Sequence, residues 1–198
     1  MKMTEHKGLP VLSFATQTLW GNWLAEHGAA SSGIWLKLAR KTSDVASVSK
    51  PEAIEAALAF GWIDGQLDRC DEGFWLVRFT PRARHSKWSQ VNRDTVARLL
   101  AERKMAPAGV AEIEQAKADG RWDAAYPPQS KAGIPDDLQA RLDAYPAAKA
   151  FFATLKGANR YAILYRIHDA KTEKTRAARI EKFVDMLGQG RTIYPDKG

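Results

Sequence analysis

The residues best suited to chemistry lie in one run, Arg78-Phe79-Thr80-Pro81-Arg82-Ala83-Arg84-His85-Ser86-Lys87-Trp88-Ser89. Arginine presents a planar donor fork that matches a phosphate or carboxylate, and the hydroxyls of Thr80, Ser86 and Ser89 can complete a shell around such an anion. Ser89 also reads as a helix cap, and the free N–H groups of a helix start favour negative charge. Upstream, Phe60-Gly61-Trp62-Ile63-Asp64-Gly65 joins a helix end to a strand start. Trp62 and Asp64 are two apart, so in extended chain they face the same side and set an aromatic face beside a carboxylate. The candidate ligand-binding set is therefore Trp62, Asp64, Arg78, Thr80, Arg82, Arg84, Ser86, Trp88, Ser89 and Asn92. The competing reading is structural, with Trp62 in the core and the arginines tying down Asp64, Asp68 or backbone carbonyls.

Other chemistries find less support. Asp64 or His85 could act as a general base beside an arginine-held anion, but no catalytic residue is assigned. Cys70 is the one cysteine, with Arg69 beside it and no neighbouring histidine. It reads as a small apolar group and excludes an intramolecular disulfide or a Cys-rich zinc module. His6, His27, His85 and His168 show no helical pairing, so neither a metal nor a cofactor is expected. There is no phosphate-binding P-loop, no G-x-G-x-x-G and no G-x-S-x-G.

Charge sharpens the address. The 198 residues hold 30 Lys+Arg against 23 Asp+Glu, a net +7. From Arg78 to Lys104 eight basic residues face two acidic ones (+6), and from Lys149 to Lys182 nine face three (+6). Met1 to Val77 sums to −2, with seven basic and nine acidic residues. Such blocks attract an anionic small molecule, an anionic protein partner or nucleic acid, or they are solvated helix faces. In the second block Arg176 and Arg179, on adjacent turns, read as such a face laced with Glu173 and Glu181. No apolar run reaches bilayer length, and Met1 to Pro10 lacks a signal-peptide core, so the expected compartment is the cytosol.

The elements that must position these residues follow from pattern. Thr16 caps a helix to about His27, closed by Gly28, and Ile34–Leu38 reads as a strand. Ser49-Lys50-Pro51-Glu52 is a capping box for a helix ending at Phe60-Gly61. Trp62–Cys70 and Phe74–Thr80 form a hairpin around Asp71-Glu72-Gly73, where Gly73 supplies a positive φ, and Pro81 ends the second arm. Ser89 starts a basic helix through Lys104 with Val96, Leu99 and Leu100 inward, and Pro107 opens another closed by Gly120. Beyond the Pro-rich stretch Tyr126–Gly133, four helical segments start at Pro135, Pro146, Asn159 and Thr172. The fold class is α+β: a small antiparallel sheet packed with helices (1–126), a linker (127–134) and an all-helical C-terminal domain (135–190).

Several separated motifs resemble one family. Phe60-Gly61-Trp62-Ile63-Asp64, then Arg78 to Arg82 with Ser86, Trp88, Ser89 and Asn92, look like the YdeI/OmpD-associated family. Met105–Tyr126 and Thr175-Arg176…Arg179-Ile180-Glu181-Lys182 fit the same pattern, so the resemblance runs from about Thr16 to Gly190. Arg166 and Ala178 depart from it, where an aromatic and a basic residue are common. The resemblance implies a bacterial stress-protection protein of the bacteriocin-protection type, and it brings no catalytic residues. The expected function is binding of an anionic small molecule or partner. The alternatives are a sequence-tolerant nucleic-acid binder and an enzyme acting on an anionic substrate.

Overall fold

Ser49 shows how locally the first elements are specified. Its hydroxyl accepts from the Glu52 N–H, and Glu52 in return accepts from the Ser49 N–H at 2.8 Å. This reciprocal cap starts a helix, and the bonds hold the Glu52 carboxyl below its usual range. The computed structural model describes residues 4–195. Contacts divide the chain into two units, Met1–Ala125 and Tyr126–Gly198.

The first unit contains β1 (Glu5–His6), β2 (Leu9–Leu12), α1 (Gln17–His27), β3 (Ile34–Ala39) and α2 (Lys50–Ala59). Next come β4 (Trp62–Arg69), β5 (Phe74–Pro81), α3 (Gln90–Ala101) and α4 (Pro107–Ala118). The sheet order is β1-β2-β3-β5-β4. It is not the purely antiparallel sheet expected, because β2 runs parallel to β3, with Val11 opposite Trp35. A parallel neighbour needs a crossover, and α1 supplies it.

Register sorts the side chains. Ile34, Leu36 and Leu38 on β3 lie opposite Phe79, Val77 and Trp75 on β5, and these rows face the helices. With Trp20, Leu24, Ala53, Ala57 and Trp62 they make the main core, where the Trp20 indole N–H donates to the Ala53 carbonyl at 3.0 Å. A second cluster joins Leu58, Trp88, Val96, Leu99 and Ile113. Leu100 stays 41% exposed rather than inward, since Val96 and Leu99 already fill that face of α3.

Two glycines differ in what they supply. Gly61 adopts φ +75° after α2, and a Cβ there would meet the Ala108 carbonyl and Glu112 at 3.1 Å. Gly73 needs no positive φ: the hairpin turn is held instead by the Asp71 carboxylate accepting from the Gly73 N–H at 3.0 Å.

The second unit begins with a 3₁₀ turn at Gln129–Lys131, followed by α5 (Asp136–Asp143), α6 (Pro146–Thr154), α7 (Gly157–His168) and α8 (Glu173–Gly188). Leu138, Leu142, Phe152, Ile163, Ile167, Phe183, Val184 and Leu187 form its core. The segment 127–134 packs onto the rest of this unit. Tyr161 donates its hydroxyl to the Pro127 carbonyl at 2.9 Å, and Ala132 and Ile134 lie against the core.

Candidate functional site

Trp62 opens β4 with only 2% of its surface exposed, edge-on to Trp20 and Trp23. Asp64 shares that face of β4, where its Oδ2 lies 3.7 Å from Lys50 Nζ on α2. Arg78 is opposite Trp35 on the other face of the sheet; it is exposed and makes no side-chain hydrogen bond or ion pair among the described residues. Thr80, on the same face, sets its methyl group against Gly33.

The 82–92 segment forms a tight structural knot. Arg82 is 6% exposed; its guanidinium lies 3.7 Å from the Trp88 ring centroid and donates to the Lys87 carbonyl, and its backbone N–H donates to the Gly61 carbonyl at 3.0 Å. Ser86 accepts from the Ala83 N–H at 3.1 Å, and Ser89 caps α3 by accepting from the Asn92 N–H at 3.1 Å. Trp88 is buried against Trp122. Arg121, not anticipated from the sequence, donates to the Ser86 carbonyl at 3.2 Å, and its Nε–H is shared between the two Asp119 carboxylate oxygens. Burial pushes the Asp119 carboxyl up, but Arg121 pulls it further down, aided by the charge of Arg84. Arg84 and His85 remain exposed. The structure thus brings Arg82, Ser86, Trp88, Ser89 and Asn92 together, and keeps Trp62, Asp64, Arg78 and Thr80 on the sheet.

A cleft of the first unit lies elsewhere. It encloses about 840 Å³ between the ends of β3 and β4 and the start of α2. Leu38, Val48, Leu67 and Trp75 give it an apolar floor, and Arg40, Lys41, Lys50 and Arg69 give it a cationic rim. Arg40, Lys41 and Arg69 are exposed and hold no ion pair among the described residues. Lys50 stands 5.7 Å from the Trp75 ring centroid and pairs with Asp64, which links one anticipated residue to this cleft. The single carboxylate in the lining, Asp68, is engaged by Lys7 at 2.6 Å and His6 at 2.9 Å, which hold its carboxyl far below the ordinary range. Composition hid the site. Met1–Val77 carries a net −2, but Glu52 caps α2, Glu55 pairs with Arg98 and Asp71 with Lys37. With these acids occupied, cations scattered over three segments line one cleft.

On the other side of β3, burial and the Asp71 carboxylate raise the Cys70 thiol, which disfavours a reactive thiolate. Among the described residues no group of three or more His, Cys, Asp or Glu could hold a metal ion, and no helix is long and apolar enough to cross a membrane.

Several arginines of both basic blocks are engaged by carboxylates or carbonyls. Arg98 pairs with Glu55 and Glu102, and Arg93 donates to the Trp122 carbonyl at 2.8 Å. In the second unit Arg176 grips Asp137 with two nitrogens and donates to the Ile167 carbonyl, while Arg179 donates to the Arg166 carbonyl. These two arginines, expected on a solvated face, instead cap the C-terminal end of α7, where carbonyls lack helical partners. Arg141 engages Glu181.

Comparison with known proteins divides the chain in a similar place. No curated protein and no solved structure matches it. Residues 131–190 match the family described as bacteriocin-protection, YdeI or OmpD-associated, so that match is confined to the C-terminal part rather than running from Thr16. Residues 12–112 match a domain of unknown function, DUF8412. That match takes in just over half of the chain, including β3, α2, the β4–β5 hairpin and the whole cationic cleft, and on it this protein belongs to the DUF8412 family.

Proposed function

We propose that this chain is a non-enzymatic binding protein for an anionic small molecule with a planar or apolar body, held in the cleft between β3, β4 and α2, and that it serves bacteriocin-type protection in bacteria. The observation that carries the reading is the convergence of Arg40, Lys41 and Arg69, all without ion-pair partners among the described residues, over a floor containing Trp75. The volume of about 840 Å³ falls within the roughly 300–1,000 Å³ usual for small-molecule sites. Trp75 is half-buried, so a ring or alkyl body can lie against it while the rim holds phosphate or carboxylate. A binding role fits better than catalysis, because Asp64 is paired with Lys50 and His85 sits on an exposed loop, neither lining the cleft. The bacterial protective role rests on the family matched by residues 131–190.

Isothermal titration with nucleotides and sugar phosphates tests this. Saturable binding is expected, weakened at least about tenfold in Arg40→Gln/Arg69→Gln, as loss of two charge-assisted contacts implies. Binding that survives this change but is lost in Arg84→Gln would move the site to the 82–89 loop. No saturable binding of any of these anions would end the proposal.

A further inference from the structure

The second unit has a cleft of its own, of about 620 Å³, between α5, α6 and the start of α7. Its floor is Ile134, Leu142, Phe152 and Leu155, and its mouth carries Lys149, Lys156 and Arg160. No carboxylate is among the lining residues. We propose that this cleft binds a free alkyl carboxylate, a monoanion of the medium-chain fatty-acid type, with the chain on the floor and the carboxylate at Lys156 and Arg160.

The commitments of the three cations locate the headgroup. Lys149 is already neutralised by Asp143 at 2.8 Å. Lys156 is exposed and has no partner among the described residues. Arg160 lies with its guanidinium 4.6 Å from the Phe152 ring centroid and pairs with no carboxylate among the described residues. Stacking on Phe152 orients the Arg160 fork before any ligand arrives, so less freedom is lost on binding. Lys156 also precedes α7, whose first turn has no side-chain cap, and its partial positive charge adds to the same field.

The floor chooses the body of the ligand. Gln139 is its one uncharged polar side chain, so little is available to read a sugar or a base. The single aromatic ring of the lining, Phe152, already carries the Arg160 guanidinium on its face, so a planar ligand would have to displace that cation to stack there. An alkyl chain needs only apolar surface removed from water. This differs from the first unit's cleft, where Trp75 is accessible.

The test is calorimetric titration of the full chain with decanoate below micelle-forming concentrations, beside butyrate and 1-decanol. Saturable binding of decanoate is expected, with butyrate and 1-decanol each weaker by about tenfold or more, and a loss of about tenfold in Lys156→Gln/Arg160→Gln. Because Arg160 also packs on Phe152, the exposed Lys156→Gln alone is expected to weaken binding about threefold with an unchanged melting temperature. Arg40→Gln/Arg69→Gln should leave decanoate binding intact, which separates this site from the first-unit cleft. Decanoate affinity unchanged in Lys156→Gln, loss of affinity in the Arg69 variant, or binding only to anionic phospholipid vesicles would each overturn the proposal.

Discussion

Asp68 shows how a single residue can hide a charge. It accepts from Lys7, His6 and the Arg69 N–H, and these bonds place its carboxyl far below the ordinary value. A carboxyl depressed in the folded state stabilises that state above its unfolded pKa, about 3.9, and the contribution disappears as pH falls through the folded value. Asp68→Asn should therefore lower the melting temperature at about pH 5 and above, by an amount that shrinks as pH drops below about 4. Thermal melts across this range check it. No difference at any pH would mean that the β1–β2 hairpin is held by packing on Trp35 alone, against which the His6 ring stands edge-on at 4.9 Å.

At the scale of elements, close approach and helix-end capping decide the packing. Gly109 on α4 is buried, and a Cβ there would fall 2.3 Å from the Ala59 carbonyl oxygen at the end of α2. Alanine is the better helix former by about 1 kcal/mol, yet the clash is with backbone and should outweigh it. Gly109→Ala is expected to destabilise by about 1–3 kcal/mol in urea unfolding; a stabilised variant would show that α4 can slide away from α2. In the second unit, Arg176 joins α5 through Asp137 to the carbonyl end of α7. Arg176→Lys keeps the charge but loses the fork, and should cost about 1–2 kcal/mol after allowance for its partial exposure. An unchanged midpoint would reduce this arginine to a surface pair.

For the whole molecule, net charge is a poor guide to where an anion goes. Several cations of the two +6 blocks are engaged in pairs and caps, such as Arg98 and Arg176, whereas three exposed cations of the −2 region line one cleft. Nucleotide affinity should thus fall severalfold between about 50 and 200 mM salt, since exposed cations are screened. An oligonucleotide should bind little tighter than a mononucleotide, because the cations of a single cleft meet only a short stretch of backbone. Fluorescence titrations at several salt concentrations compare the two. A much tighter oligonucleotide with a steep salt slope would reassign the chain to nucleic-acid binding.

The sequence by itself determined what is local. The Ser49–Glu52 box, the Thr16, Ser89 and Thr172 caps, the β4–β5 hairpin and the α8 stripe of Ile180, Phe183, Val184 and Leu187 depend on residues a few positions apart, so spacing alone specifies them. It also brought out Arg82, Ser86 and Trp88 as a unit, because one short loop holds them. Only the tertiary structure decided the rest. The parallel pairing of β2 with β3 depends on where α1 returns the chain. The two clefts depend on which cations find carboxylates, often more than thirty residues away, as with Arg98 and Glu55 or Lys7 and Asp68. Charge is a property of the chain, but free charge is set by folded distances, and those fall off any reading of neighbours in sequence.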